Sequence, residues 1–300
     1  MLRRTLLASA GAVALTGAAL AADLRAPPPV ILPPPPIFTW TGFYVGLNAG
    51  GTWSSNNSVN TAAVPLFAAP TFATELTLSS ALATTSVPIS NSGFIGGGQI
   101  GYNYQFANNF VAGIEADIQG VAASNRTRTV FGSGVPAGFP AETIVSTVSA
   151  SKAIDYIGTV RGRLGFTITP TLLVYGTGGL AYGGVDSSVT IFQQNLPADS
   201  TFGAPFSSIG RFSNTRVGWT AGGGLEWLFA PNWSVKVEYL YYNLSTVTFA
   251  LSPLTNTFTT GGVVYSSAPF AKTRFNGNIV RAGLNYHFNL WAPAPVVAKY

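Results

Sequence analysis

The sequence predicts an all-β fold: a closed, antiparallel, eight-stranded transmembrane β-barrel. Three observations predict it. The chain is 47% hydrophobic yet only 8% charged, where soluble domains carry about 25% charged residues. Past its start it holds no apolar run of the roughly 18 residues that a spanning helix needs, so helical spans are excluded. Its apolar residues instead alternate with polar residues and glycine, the period of a strand with one face in lipid.

The first residues assign the compartment. Arg3 and Arg4 precede an uncharged stretch, Leu6 to Leu20, that ends in Ala19-Leu20-Ala21. A positive start, a short apolar stretch and a small-x-small site read as a secretory signal, with the cut expected after Ala21. The expected layout is a signal over 1–21, a Pro-rich periplasmic linker over 22–39, the barrel over 40–288 and a C-terminal extension over 289–300. The linker holds Pro27-Pro28-Pro29 and a run from Pro33 to Pro36, which cannot pair in a sheet and favours polyproline II. With no cysteine there is neither a lipid-attachment site nor a disulfide. The net charge of +5 falls to +3 without Arg3 and Arg4. The scattered basic residues form no nucleic-acid stripe.

From Trp40 the alternation can be followed strand by strand. The first strand, about 41–52, puts Phe43, Val45 and Leu47 on one face and Tyr44, Gly46 and Asn48 on the other. The second, 93–106, points Ile100, Tyr102, Tyr104 and Phe106 outward against Gln99 and Asn103. The third, 110–120, alternates Phe110, Ile114 and Ile118 with Glu115, Asp117 and Gln119. The fourth, 152–167, sets Ile154, Tyr156, Val160, Leu164 and Phe166 against Asp155, Thr159, Arg161 and Arg163. The fifth, 172–185, is so rich in glycine that its facing stays open. The sixth, 215–229, opposes Val217, Trp219, Leu225 and Trp227 to Arg216, Thr220 and Glu226. The seventh, 233–244, opposes Val235, Val237 and Tyr239 to Lys236 and Glu238. The eighth, 275–288, opposes Val280, Leu284, Tyr286 and Phe288 to Arg281, Asn285 and His287.

The connections alternate in length. Ala107-Asn108-Asn109, Thr169-Pro170-Thr171 and Ala230-Pro231-Asn232 are tight turns. Four long loops, 53–92, 121–151, 186–214 and 245–274, follow the odd strands. Short periplasmic turns and long outer loops are the asymmetry of outer-membrane barrels. Aromatic residues crowd the ends beside the tight turns: Tyr104, Phe106, Phe110, Phe166, Trp227, Phe229, Trp233, Tyr286 and Phe288, with Trp40 and Phe43 at the same level. Aromatic rings favour the membrane interface, so this set reads as the periplasmic girdle.

The run Phe38-Thr39-Trp40-Thr41-Gly42-Phe43-Tyr44-Val45-Gly46 resembles the first strand of the small outer-membrane immunogenic proteins of alphaproteobacteria, which are porin-like with an OmpA-like barrel. Val280-Arg281-Ala282-Gly283-Leu284-Asn285-Tyr286-His287-Phe288 resembles their last strand. The resemblance implies an abundant surface antigen with roles in envelope integrity and host contact. The implied partners are outer-membrane lipid, lipopolysaccharide and the barrel-assembly machinery, with an extracellular ligand of the loops left open. One departure stands out: such barrels usually end on the aromatic residue that the machinery reads, whereas here Phe288 is followed by Asn289–Tyr300.

Chemistry, if any, belongs to the inward face. Glu115, Asp117, Asp155, Glu226 and Glu238 balance Arg161, Arg163, Arg216, Lys236 and Arg281. A charge on the lipid face near the midplane costs about 2–4 kcal/mol, so the lumen is their expected place. An eight-stranded barrel is just wide enough for side chains to fill. Two readings follow: a paired plug that stabilises the barrel, or a narrow ion path. No metal spacing and no cofactor motif is present: there is no Cys, one His and only dispersed acids. The lone histidine, His287, lies at the periplasmic end, the wrong side for a surface lipase. The expected function is a structural, surface-exposed outer-membrane protein that is not an enzyme. A diffusion pore is the alternative and a lipid-modifying enzyme a distant third.

Overall fold

The computed structural model describes residues 39–123, 126–197 and 205–288. The expected signal, the linker up to residue 38 and the C-terminal extension lie outside the described residues.

Twelve strands and one helix follow one another among the described residues: β1 (Gly42–Ser54), β2 (Ser58–Ala68), α1 (Ala73–Ala83), β3 (Thr85–Pro88), β4 (Ser92–Phe106), β5 (Phe110–Ala123), β6 (Arg126–Gly134), β7 (Thr143–Thr169), β8 (Leu172–Leu196), β9 (Phe206–Ala230), β10 (Trp233–Ala250), β11 (Leu254–Thr257) and β12 (Val263–Phe288). Eight of them close into a ring in the order β1-β4-β5-β7-β8-β9-β10-β12, and β12 pairs back onto β1. The closing seam is antiparallel and unbroken, from Phe43↔Phe288 to Ser54↔Gly277. Closure leaves no strand edge in the membrane, where an unpaired backbone group has no water to bond. The tight turns sit where the sequence places them. Between β4 and β5, Ala107 and Asn108 take φ of 47° and 64°, the left-handed pair that a right-twisted hairpin requires.

Facing follows the alternation. Leu47, Ile100, Ile114, Leu164, Leu225 and Val237 are more than half exposed, while Asn48, Gln99, Glu115, Arg163, Glu226 and Lys236 are buried. For a barrel in lipid, exposed means lipid-facing. The fifth spanning strand, open from sequence, is settled: Leu173 and Tyr175 point inward on β8, Val174 and Leu180 outward. One facing is corrected. The register slips between Ile154 and Tyr156, a β-bulge on β7, so one extra residue shifts the alternation. Asp155 at the slip is exposed. Above it Lys152 and Ile154 turn inward, both lining a small cavity at the outer end of the lumen.

Most of the described length of the long outer segments is paired strand, and this also corrects the sequence reading. β7, β8, β9 and β12 run 27, 25, 25 and 26 residues, where roughly 9–11 cross a membrane. They leave the bilayer and continue as the walls of an outer head. β2 pairs with β12 from Val59↔Thr273 upward, and β6 pairs with the upper part of β7. α1 caps β6: a Cβ at Gly134 would crowd Leu78 of α1. The head has an apolar core that includes Val59, Val148, Val189, Ile191, Phe206 and Tyr265. The Ser- and Thr-rich composition of these segments hid an alternation that runs straight on from the spanning strands.

A second aromatic ring marks the outer interface. Trp53, Phe94, Tyr156, Trp219 and Tyr241 lie 8 to 12 residues along their strands from the periplasmic set, the length a tilted strand needs for an apolar band of about 25 Å. Tyr182 on β8 joins them beside Gly158. Placing arginine at Val160 or Leu225, both lipid-facing between the two rings, is expected to cost about 2–4 kcal/mol of stability in bilayers. Urea unfolding of the refolded protein in vesicles measures it, and a cost near zero would overturn the facing.

Candidate functional site

The middle of the lumen is a cross-linked layer of charges built by register. Glu115 on β5 is paired with Arg161 on β7, Glu226 on β9 with Lys236 on β10, and Glu238 on β10 with Arg281 on β12. Glycines stand opposite several of these groups: Gly179 faces Arg161, Gly224 faces Glu238, Gly50 faces Arg281 and Gly283 faces Lys236. A barrel this narrow fits these long charged side chains because each has a counter-charge on one neighbouring strand and no side chain on the other. Gly101 serves a tyrosine in the same way, since a Cβ there would overlap the Tyr44 ring.

Each carboxylate is shared. Arg161 reaches Glu115 at 2.5 Å, Asp117 at 2.9 Å and Glu238 at 2.9 Å. Arg281 reaches Asp117 at 2.8 Å and Glu238 at 2.6 Å. Lys236 donates to both oxygens of Glu115 at 2.8 Å. Arg163 bonds Glu226 at 2.6 Å, and its guanidinium carbon lies 4.0 Å from the centre of the Tyr175 ring. The Tyr44 hydroxyl donates to Glu115 and accepts from Arg163, and the Tyr175 hydroxyl donates to Glu238. On β4, Gln99 donates to Asn285, which in turn donates to Glu226. Every strand of the ring therefore contributes. Four acids meet four bases, all at most 5% exposed, and the layer is neutral.

Two further layers close the lumen. Below, Trp40 is fully buried with Val111, Leu173, Tyr175 and Leu228. Its indole N–H donates to the Pro170 carbonyl, and it meets His287 edge-on. This corrects the sequence reading, which set Trp40 in the girdle. It precedes β1 and turns in under the ring, while Phe43, Tyr104, Phe106, Phe110, Phe166, Trp227, Phe229, Trp233 and Phe288 face lipid. Tyr286 is half-buried between Trp233 and Phe288. Above the charges, Ile95, Ile157, Leu240, Tyr242 and Ile279 fill the lumen and join the core of the head.

The structure brings together eight of the ten expected lumen charges. Asp155 is displaced by the bulge to the outer face, beside Asp186. Arg216 is half-buried above the layer, and no described carboxylate pairs with it. Sequence reasoning missed Tyr44 and Tyr175 as members, although Tyr44 stands at an inward position opposite glycine. It also missed Lys152, whose parity the bulge conceals. Lys152 lies above the outer aromatic ring, 1% exposed, and donates to the carbonyls of Asn56 and Arg274. Beside it is a cavity of about 20 Å³, room for one water. Burial holds its ammonium down to about 8.

Residues 8–288 match the family model for the outer membrane protein β-barrel domain. The chain belongs to this family. A 31 kDa outer-membrane immunogenic protein of Brucella melitensis is 33% identical over 290 residues, which is 96% of this chain and all of that one. A 22 kDa outer membrane protein of Rhizobium leguminosarum is 31% identical over 48% of this chain and 51% of its own. Among solved structures, the outer membrane protein OprG of Pseudomonas aeruginosa aligns at TM-score 0.34 and 9% identity, over 84% of this chain and 99% of its own. As a member of the outer-membrane β-barrel family, the chain resides in the cell outer membrane.

Removing one partner from the charge layer leaves the other buried and unpaired. Arg163→Met is expected to lower the unfolding free energy by about 3–5 kcal/mol, and adding Glu226→Met to return part of that loss, in a double-mutant cycle by urea titration. The Lys152 amine has a folded pKa near 8 and an unfolded one near 10.4. The unfolded state binds the extra proton between those values, so stability rises with pH across that window and the penalty is complete below it. The rise, up to about 3 kcal/mol, is expected to vanish in Lys152→Met when unfolding is titrated from pH 7 to pH 10.

Proposed function

We propose that this protein is a closed structural barrel that anchors a folded head on the outside of the outer membrane, and that the head rather than the lumen is its working part. The observation that carries this reading is the lumen itself. A Trp40 plug, a neutral layer of eight charges and an apolar layer follow one another along the axis, and all eight ring strands are cross-linked by the middle one. Solute passage would require breaking several buried ion pairs at once, each opening costing several kcal/mol.

The relatives bear the name immunogenic, which fits a protein seen from outside. In this reading the outer lipid surrounds the barrel, the assembly machinery inserts it, and a partner of the head in host or neighbouring cells is the contact to seek. The charge layer serves the structure rather than transport, the blander of the two roles that its composition permits. An enzyme fits poorly. His287 is buried at the periplasmic mouth, 2.8 Å from Ser234 and under Trp40, with no opening toward lipid on the outer side.

Planar-bilayer recording of the refolded protein, with folding verified by heat-dependent gel mobility, tests the reading. No steady single-channel steps are expected. Reproducible steps that change in Arg161→Gln or Arg163→Gln would overturn it and make the same charges an ion path.

A further inference from the structure

The outer wall of the barrel is electrically lopsided just above the membrane. On the sector formed by β10, β12 and β2, Lys272 and Arg274 point outward and are exposed. No acidic residue occurs between positions 54 and 74 or between 239 and 274, so neither cation has a carboxylate within its own sector. Their cross-strand neighbours are short and polar: Thr246 beside Arg274, and Thr248 and Asn60 beside Lys272. The single side-chain bond of Arg274 there is from Nε to the Thr246 hydroxyl, which leaves the outer fork of the guanidinium free to donate.

Their height is fixed by register. Asn278 on β12 is level with Trp53 and Tyr241 of the outer aromatic ring. Arg274 is four residues beyond it, about 13 Å along the strand at roughly 3.3 Å per residue, and less along the membrane normal because the strands tilt. Long basic side chains bend toward the polar layer of a bilayer, so both heads reach the level of the outer-leaflet headgroups. On the opposite sector the outward charges are mixed: Asp155 and Asp186 lie side by side at the β7 bulge, and above them Arg128 on β6 and Arg211 on β9 are exposed.

We propose that Lys272 and Arg274 form a binding site for the phosphate groups of an outer-leaflet glycolipid, which seats such a lipid against one sector of the barrel. The planar guanidinium takes one phosphate in a forked pair, and the ammonium two residues on takes a second or bridges to it. The surrounding hydroxyls and amide supply neutral donors, and the ring at Trp53 and Tyr241 lies beneath for the sugar and the upper acyl chains. The site is independent of whether the lumen conducts.

The test uses the refolded full chain in neutral detergent, titrated with diphosphorylated lipid A, with bound lipid counted by native mass spectrometry. Lys272→Gln/Arg274→Gln is expected to weaken binding on the order of tenfold or more, from about one unit of charge attraction per residue. The charge-keeping pair Lys272→Arg/Arg274→Lys is expected to retain it, and dephosphorylated lipid A to bind the native protein as weakly as the Gln variant binds the phosphorylated form. Both side chains are exposed, and gel mobility verifies that each variant is folded. Unchanged binding by the Gln variant would overturn the proposal. An equal loss in Arg128→Gln/Arg211→Gln would also overturn it, by showing diffuse charge attraction. So would full displacement by millimolar inorganic phosphate, which would mark a free-anion site.

Discussion

A charge inside a small membrane barrel has to find its counter-charge inside the same barrel. Neither lipid nor bulk water can supply one, and an unpaired buried charge costs more than most single interactions in a domain provide. This constraint organises the structure. Arg161 and Arg281 each meet three acids from two strands. The bonds run around the ring rather than along any strand, so they hold only in one register. A slip of one residue at any seam would carry a charge from the lumen to the lipid face. The layer is weak evidence of net stability, because its desolvation offsets much of its attraction. It is strong evidence of specificity in pairing, which backbone hydrogen bonds do not distinguish.

The same constraint explains the glycines. A ring of eight strands holds eight charged side chains and two tyrosines in one layer only because the sequence opposes many of them with residues that have no side chain. Gly101, Gly179, Gly224 and Gly283 are positions where a side chain would meet Tyr44, the Arg161 backbone, Tyr175 or Lys236. Glycine normally weakens a strand through entropy and lost packing. Here that cost sits where the neighbouring strand's side chain lies across the gap, so the space is filled from outside the residue. The inward glycines of β1, β4, β8, β9 and β12 are the complement of the charge layer.

How much was legible depended on whether one physical signal acted alone. The eight spanning strands, their order and their faces were readable because lipid outside and polar groups inside impose a period of two with a large energy difference. The eight members of the charge layer follow from that period. Asp155 and Lys152 were misread because a single bulge inverts parity, and no residue type at Ile154–Tyr156 announces one. Trp40 was misread because its position just before β1 matches an interfacial aromatic, and only the tertiary turn into the mouth separates plug from girdle. The head was missed for another reason. Once the strands leave the lipid, both faces contact protein or water, so Ser and Thr replace the large outward hydrophobes and the amplitude of the pattern falls. Val148, Ala150, Val189 and Ile191 still keep the inward parity, but with small polar residues between them they resemble loop.

Filling the lumen has a consequence for where function can lie. A barrel that spends its inward residues on a neutral, mutually paired layer has little left to offer a solute. Its lipid face is constrained to be apolar between the two aromatic rings. What remains free to carry recognition is the surface above the outer ring, and there the chain departs from uniformity: Lys272 and Arg274 share one sector with no carboxylate beside them, while Asp155 and Asp186 lie on another with Arg128 and Arg211 above them. The unpaired basic pair makes the wall electrically unequal around its circumference. It gives the barrel a preferred orientation toward charged neighbours in the plane of the membrane. The head above then inherits that orientation, because its walls are the same strands, continued without a hinge from the charge layer outward.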